Sequence, residues 1–518
     1  MTLVHLKALF VIFVLAGGMF LLCSRFYIQR GMSPQTYWTR AAGWLGITFA
    51  AFISSSFWIF AFLLFLILFL LKLRDKQTIA LYAFLAFCIP PYSAPLPGLG
   101  AINYLLDLNY LRVLNLVLLL PLCVSVLINN RNQRLTGWIR LVDLWVLGYI
   151  VLRITLLSTS GLPLTVTVRE GIGMFLDVII PYYAVTRGLT SRNDVREVMG
   201  ALVLGWMVVA PIVVFENLKG WLLYPDLILT LDLKTFRHVH LTRGDSLRAA
   251  GPGGHPLVMG LFMMVALCFI VSMGLRASKA LHAFLIMVVC AGLWAPLSRG
   301  PWLGAAVGLF AYLLISRDGV ARLAKLSGLG LLVLPLVLIS PLGPKIVDHL
   351  PFIGTLDAET VVFRQELLKA SIEVIRQNPW LGTFTYETNH AFTHLMQGDG
   401  FIDFVNTYVI IALSTGLFGL VLYVGVFLLV LFATFQAWAR NRKRDVELDG
   451  MGRSIFAASI GMMIFVATCS PIVGVITLKI LVAGLALTYS RLKPVTAKVP
   501  ARPSPSPRMA PPPQWRHA

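Results

Sequence analysis

The chain has 518 residues, of which 58% are hydrophobic and 13% charged, with a formal net charge of +20. An average soluble domain carries about 25% charged residues, so this composition excludes an ordinary soluble enzyme. The positive balance is not read as nucleic-acid binding, because it is distributed along the chain as membrane topology distributes it.

Nearly charge-free runs cover 8–23, 41–71, 109–128, 141–157, 197–216, 256–275, 280–296, 302–316, 326–341, 404–433, 454–471 and 473–490, with weaker ones at 77–90 and 171–187. Runs of this kind mark membrane-spanning helices. Only helices or closed barrels satisfy their backbone in lipid, and these runs lack a barrel's period-two alternation. The expected fold is all-α: a polytopic transmembrane helix bundle of about 12–14 spans, with two longer outer loops, the second containing an amphipathic helix.

The first apolar run lacks a small-x-small cleavage site and is read as a retained span. Cys23, Cys88, Cys123, Cys268, Cys290 and Cys469 lie in or beside apolar runs without CxxC spacing and are read as apolar packers. Basic connections hold Lys72, Arg74 and Lys76; Arg131, Arg134 and Arg140; Arg187, Arg192 and Arg196; Arg276 and Lys279; Arg317, Arg322 and Lys325; and Arg440, Arg442, Lys443 and Arg444. The positive-inside rule puts these in the cytoplasm. The alternate connections 91–108, 158–170, 217–255, 297–301 and 342–402 then face outward. Arg25, Arg30 and Arg40 violate this order if 41–71 is one span; a break at Ser54-Ser55-Ser56 turns it into a hairpin and restores it.

The expected organisation is N-terminal transmembrane helices over 1–216, an outer loop over 217–255, and central helices over 256–341. A large outer loop over 342–402, C-terminal helices over 403–490 and a disordered Pro-rich tail over 491–518 complete it.

No GxxxxGK[ST], HExxH or Asp-x-Asp pattern is present, which argues against ATP-driven work and against a metal held in the usual nucleotide-sugar manner. The spans hold few acids, Asp177 and Asp143 foremost, which weakens an ion-coupled transporter. The chemistry faces outward. LTRGDSLRAAGPGGHPLVMG carries Arg243, Arg248 and His255, and its GPGG can aim N–H groups at an anion or simply turn the chain. LSRGPWLG fixes Arg299 in a tight turn between apolar runs. A forked guanidinium on a rigid mount suits phosphate; capping the preceding helix's carbonyls is the alternative.

VVFRQELLKASIEVIRQNPWLG places Phe363, Leu367, Ile372 and Ile375 at roughly helical spacing. It predicts an amphipathic helix at the membrane surface, stopped at Asn378-Pro379. Arg364 stands near its start, where the helix dipole disfavours a cation, and so calls for a carboxylate (Glu359 or Glu366) or a phosphate. YETNHAFTHLMQGDGFIDFVNTY follows, with Glu387, His390, His394, Asp399 and Asp403. Histidine accepts protons near neutral pH. His390 and His394 lack an evident third ligand and are not read as a metal site.

These stretches resemble the O-antigen ligase / polysaccharide polymerase superfamily of bacterial integral membrane glycosyltransferases. LSRGPWLGAAVGLF is similar to its Ser-Arg-Gly turn and following span, and FRQELLKASIEVIRQNPWLG to its loop helix ending in Asn-Pro and Gly. FIDFVNTYVIIALSTGLFGL is similar to its Asn-x-Tyr and Gly-Leu-x-Gly-Leu segment, and RAAGPGGHPLVMG to its outer Arg before a Gly-containing span. Many members carry His directly before that Asn; here the position is Val405.

The resemblance implies transfer of a glycan from undecaprenyl diphosphate, with Arg248 and Arg299 on the diphosphate and Arg364 on phosphate or glycan. On the residues themselves, His390 or Glu387 is the candidate to take the acceptor proton, and Arg243, His255, His394 and Asn406 are further substrate-binding candidates. The resemblance implies no metal or cofactor, a glycan or lipid-linked acceptor, membrane lipids and other polysaccharide assembly proteins as partners, and a multi-pass place in the bacterial inner membrane with the site facing the periplasm. Polymerase and ligase both remain open. A transporter or flippase for a lipid-linked glycan, and a structural subunit of an envelope complex, are the competing classes.

Overall fold

The computed structural model describes residues 3–29, 31–98, 104–129, 137–233, 240–273, 279–339, 358–396 and 402–494. Arg30, Arg131, Arg134, Arg276, Asp399 and residues 495–518 of the Pro-rich tail lie outside them, as does the side chain of Glu359; the start of that tail, Arg491, is the last residue of a helix.

The chain is a bundle of helices. The first three are α1 (Leu3–Gln29), α2 (Pro34–Ile53) and α3 (Phe57–Arg74). A short α4 (Thr78–Leu85) leads to a hairpin of β1 (Ser93–Pro97) and β2 (Tyr104–Asn109). Then come α5 (Tyr110–Asn129), α6 (Trp138–Ser158), α7 (164–188) and α8 (Arg192–Lys219). After a two-residue hairpin, β3 (Thr242–Arg243) with β4 (Ser246–Leu247), follow α9 (Pro256–Ile270), α10 (Lys279–Trp294), α11 (Arg299–Leu314) and α12 (Gly319–Ile339). The last are α13 (Ala358–Gln377), α14 (Thr407–Asn441), α15 (Val446–Val466) and α16 (Val473–Arg491).

Among the described residues eight helices are long and apolar enough to cross a membrane: α1, α3, α5, α6, α8, α14, α15 and α16. The hydropathy pattern led us to expect more. Part of the difference is length, since α9, α10 and α11 are apolar but have only 15, 16 and 16 residues. Helices α8 and α9 are buried on every side and form the middle of the bundle. Peripheral helices turn Phe10, Phe62 and Leu144 outward, as a lipid-facing shell requires. Five of the six cysteines are buried and Cys290 is exposed; all six are free thiols.

The serine break at 54–56 exists. Ser54 ends α2, and Ser56 caps α3 by accepting from Ile59 N–H. This returns Arg40 to the basic end of the bundle, where its guanidinium donates to Asp75 at 2.6 Å and Glu197 at 2.7 Å. Arg192 pairs with Asp445 and Arg187 with Asp143. Asp177, the foremost acid in the spans, pairs with Arg112 at 2.6 Å.

At the opposite end, two features position the outer residues. First, α11 lies close against α15: a Cβ on Gly304 would sit 2.8 Å from Gly461 O, and one on Gly308 2.8 Å from Ala457 O. Small residues four apart let the two backbones touch. Second, α14 is broken at Gly416, whose φ is 65°. The loop after α13 repairs the break. Leu417 N–H donates to Pro379 O at 2.8 Å, Phe418 N–H to Trp380 O at 3.3 Å, and Thr383 N–H to Leu413 O at 2.7 Å. A side chain at Gly382 would collide with α14 backbone, and one at Gly416 with Trp380 backbone. An interrupted membrane helix persists only where other groups satisfy its freed backbone, and here 379–383 does so.

Above that junction sits a small separate core of Leu367, Ala370, Val374, Tyr386, Phe392, Leu395, Phe404 and Leu413. Its helix, α13, buries Leu367, Ala370 and Val374, while Ile372 is exposed, so the buried stripe is rotated from the one read in the sequence.

Candidate functional site

The Ser-Arg-Gly turn is built as a rigid mount. Ala295, Pro296, Leu297 and Ser298 are all buried, and Leu297 holds a φ of 48°, which branched residues adopt only under constraint. Trp294 and Trp302 stack at 4.6 Å, and Trp302 Nε1–H donates to Leu293 O at 2.8 Å, closing the turn from its side. Arg299 is then the first residue of α11. Gly300 admits no side chain because Thr468 occupies the space, and Pro301 fills the groove beside Gly260.

Two arginines from 241–250 grip this turn. Arg243 Nη1–H donates to Leu297 O at 2.6 Å. Arg248 donates from Nε to Pro296 O at 3.3 Å and from Nη2 to Ser298 Oγ at 3.0 Å. Carbonyls of the turn are therefore held by Arg243 and Arg248.

The glycine loop also differs from expectation. Its first N–H groups do meet acidic oxygens, but these are internal. The buried Glu216 carboxylate accepts from Leu223 N–H at 2.9 Å, Ala250 N–H at 3.1 Å and Gly251 N–H at 2.8 Å. The loop ends at His255, which caps α9 by accepting from Leu257 N–H on Nδ1 at 3.2 Å. Burial and the neighbouring Arg248 push the His255 pKa down to about 4, against an upward pull from Asp403. His255 is thus a neutral cap at pH 7, placed between an arginine and a carboxylate.

Asp403 joins the turn to the small outer core. Ser470 Oγ–H donates to its carboxylate at 2.6 Å, and Thr407 Oγ1–H donates to Cys469 O at 2.6 Å. Its neighbour Phe404 belongs to the outer core. Val405 has a φ of 40°. Asn406 is a helix cap, accepting from Tyr408 N–H at 3.0 Å and Val409 N–H at 3.3 Å, so its carbonyl oxygen is committed to structure.

The remaining candidates ride on the outer core. Arg364 is exposed in the first turns of α13. Glu387 precedes, and His390 and His394 lie within, a short 3-10 segment over His390–Leu395, and all three are exposed. The structure thus gathers Arg243, Arg248, His255 and Arg299 around one turn, and Arg364, Glu387, His390 and His394 on a second body linked to it through 403–407. Among the described residues no group of three His, Cys, Asp or Glu could hold a metal.

Sequence reasoning missed Glu216, Asp403's linking position and a polar seam beneath the outer core. In that seam Arg153 donates to Glu170 at 2.7 Å and lies 5.2 Å from the Phe384 ring. Lys479 donates to Tyr423 Oη at 2.6 Å. Each is a lone polar residue in an apolar run, and that solitude was the available signal.

Residues 282–424 match the family model described as O-antigen ligase. The match begins in α10 and ends in α14, so it takes in the Ser-Arg-Gly turn, α13 and the broken helix, and leaves out Arg243, Arg248 and His255. It supports the resemblance to the O-antigen ligase / polysaccharide polymerase superfamily. No curated protein matches the chain.

Proposed function

We propose that this O-antigen-ligase-like membrane protein is a glycosyltransferase that takes its donor glycan from undecaprenyl diphosphate. It either polymerises repeat units of an exported polysaccharide or ligates the glycan to an acceptor. The basic end lies in the cytoplasm and the turn faces the periplasm of the bacterial inner membrane.

The observation that carries this reading is Arg299: it lies within the family match and starts α11 on an immobilised turn. Backbone N–H groups and the helix dipole favour an anion there. In the reaction a sugar hydroxyl attacks the anomeric carbon, the C–O bond to the diphosphate breaks, and the lipid diphosphate leaves with its electrons. Arg299, together with Arg248, meets the charge that develops on the leaving oxygen. Arg364 approaches phosphate or glycan from the outer core. His390 or Glu387 takes the hydroxyl proton, and Asp403 is a further acceptor on the turn's own side. A diphosphate met by guanidinium groups leaves readily, so the reading calls for neither ATP nor metal.

Purified protein in proteoliposomes, given undecaprenyl-diphosphate oligosaccharide without ATP or added metal, tests it. Longer glycans and released lipid diphosphate, reduced about 100-fold or more by Arg299→Ala, are the expected result for a polymerase. Turnover only after a second acceptor is added identifies a ligase. Movement of intact donor across the bilayer without transfer sinks the enzyme reading in favour of a transporter.

A further inference from the structure

Lys479 is the seventh residue of α16, which puts it about 9 Å inside the bundle from the helix start at about 1.5 Å per residue. It is 8% exposed. Its Nζ has three N–H bonds. One goes to Tyr423 Oη at 2.6 Å. The amine lies 5.1 Å from the Tyr423 ring and 6.0 Å from that of Phe427, with Tyr149 and Cys469 in electrostatic reach.

Other cations within the helices are mated: Arg112 pairs with Asp177 and Arg153 with Glu170. Among the described residues no ion pair involves Lys479. Burying a lone ion costs more than an aromatic face returns. The surroundings are rich in donors and poor in acceptors. Tyr423 accepts from Lys479 and so can donate onward, and the Tyr149 ring packs 5.7 Å from that of Tyr423, bringing a second phenol to the place. Such a set lacks an oxygen anion.

The place is connected to the turn. Cys469 feels both Lys479 and Asp403, and its neighbour Thr468 packs on Gly300. We propose that Lys479, Tyr423 and Tyr149 form an anion seat inside the bundle that takes phosphate oxygens of a polyprenyl phosphate or diphosphate. The choice of phosphate rests on the glycosyltransferase reading; the seat itself rests on the unmated amine.

The test uses full-length protein in nanodiscs carrying Arg299→Ala, so that the turn cannot supply the response. Unfolding temperature is followed against added inorganic diphosphate and, separately, against undecaprenyl phosphate in the disc. Undecaprenyl phosphate should raise it by several degrees. Lys479→Met should raise the unliganded unfolding temperature and remove the response; Lys479→Arg should keep it; Tyr423→Phe should raise the half-saturating concentration about ten-fold. A Lys479-dependent response to inorganic diphosphate alone would keep the seat and make free phosphate its occupant. Responses that survive Lys479→Met undiminished, or no response to either probe, overturn the seat. If Lys479→Met does not fold, Lys479→Gln carries the same comparison. Binding without any glycan transfer would leave the seat standing and remove the glycosyltransferase reading, so the two can fail separately.

Discussion

The two bodies that carry the candidate residues are built on opposite terms. The turn around Arg299 is embedded in the main core: its backbone is buried, its carbonyls are gripped by Arg243 and Arg248, and its glycine loop is tied to Glu216. The α13 body has its own small core of eight side chains and leaves Arg364, Glu387, His390 and His394 exposed. Under the proposed function the contrast is a division of labour. A group that must meet charge developing at a fixed point belongs on a rigid mount. Groups that meet a variable glycan are better carried on a body of low local stability.

That contrast can be broken by measurement. The largest effect should come from Glu216→Ala, which strands three backbone N–H groups at about 1–3 kcal/mol each. Thermal unfolding in detergent should fall by many degrees, and an unchanged midpoint would show that the glycine loop does not depend on this anchor. Next, Phe392→Ala should cost about 3–5 kcal/mol, but only locally. Hydrogen exchange should rise across 361–396 and stay unchanged in α8 and α9. Exchange rising in α9 as well would mean that the two bodies are one cooperative unit.

A smaller effect of opposite sign is expected at the link. Val405→Gly removes a strained φ of 40° and should stabilise the link by about 1 kcal/mol, read as slower exchange over 402–408. The smallest effect at neutral pH is at His255. With a folded pKa of about 4 against about 6.5 unfolded, it is neutral when folded and protonated when unfolded in that window. Its stabilising contribution is full above about pH 6.5 and is lost as pH falls toward about 4. His255→Asn keeps the cap and should flatten stability between these values while changing little at pH 7.5.

How much could be read from the sequence follows from where each constraint acts. Lipid acts residue by residue, so the apolar runs and the basic end were legible, and Ser54-Ser55-Ser56 resolved the one misplaced group of arginines. The Arg299 turn was legible because its parts are contiguous. Glu216 was not, because its partners Ala250 and Gly251 lie more than thirty residues away. The donors of Arg243 and Arg248 were assigned outward because nothing in the sequence shows that a carbonyl stands nearer than a ligand. Lys479, Tyr423, Tyr149 and Arg153 come from three helices, and only folding makes them neighbours.

The junction between Gly382 and Gly416 carries one more consequence. Each glycine leaves room for the other segment's backbone, so neither position can accept a side chain while its counterpart stays in place. In a mutational library the two sites should be intolerant singly, and no second substitution at the other site should rescue the first, because a side chain added to either adds bulk to the same crossing. A lineage that kept one glycine and lost the other would have to rebuild both the loop after α13 and the bend in α14 together. The two short motifs that bracket the outer body are therefore inherited as one object, although more than thirty residues separate them.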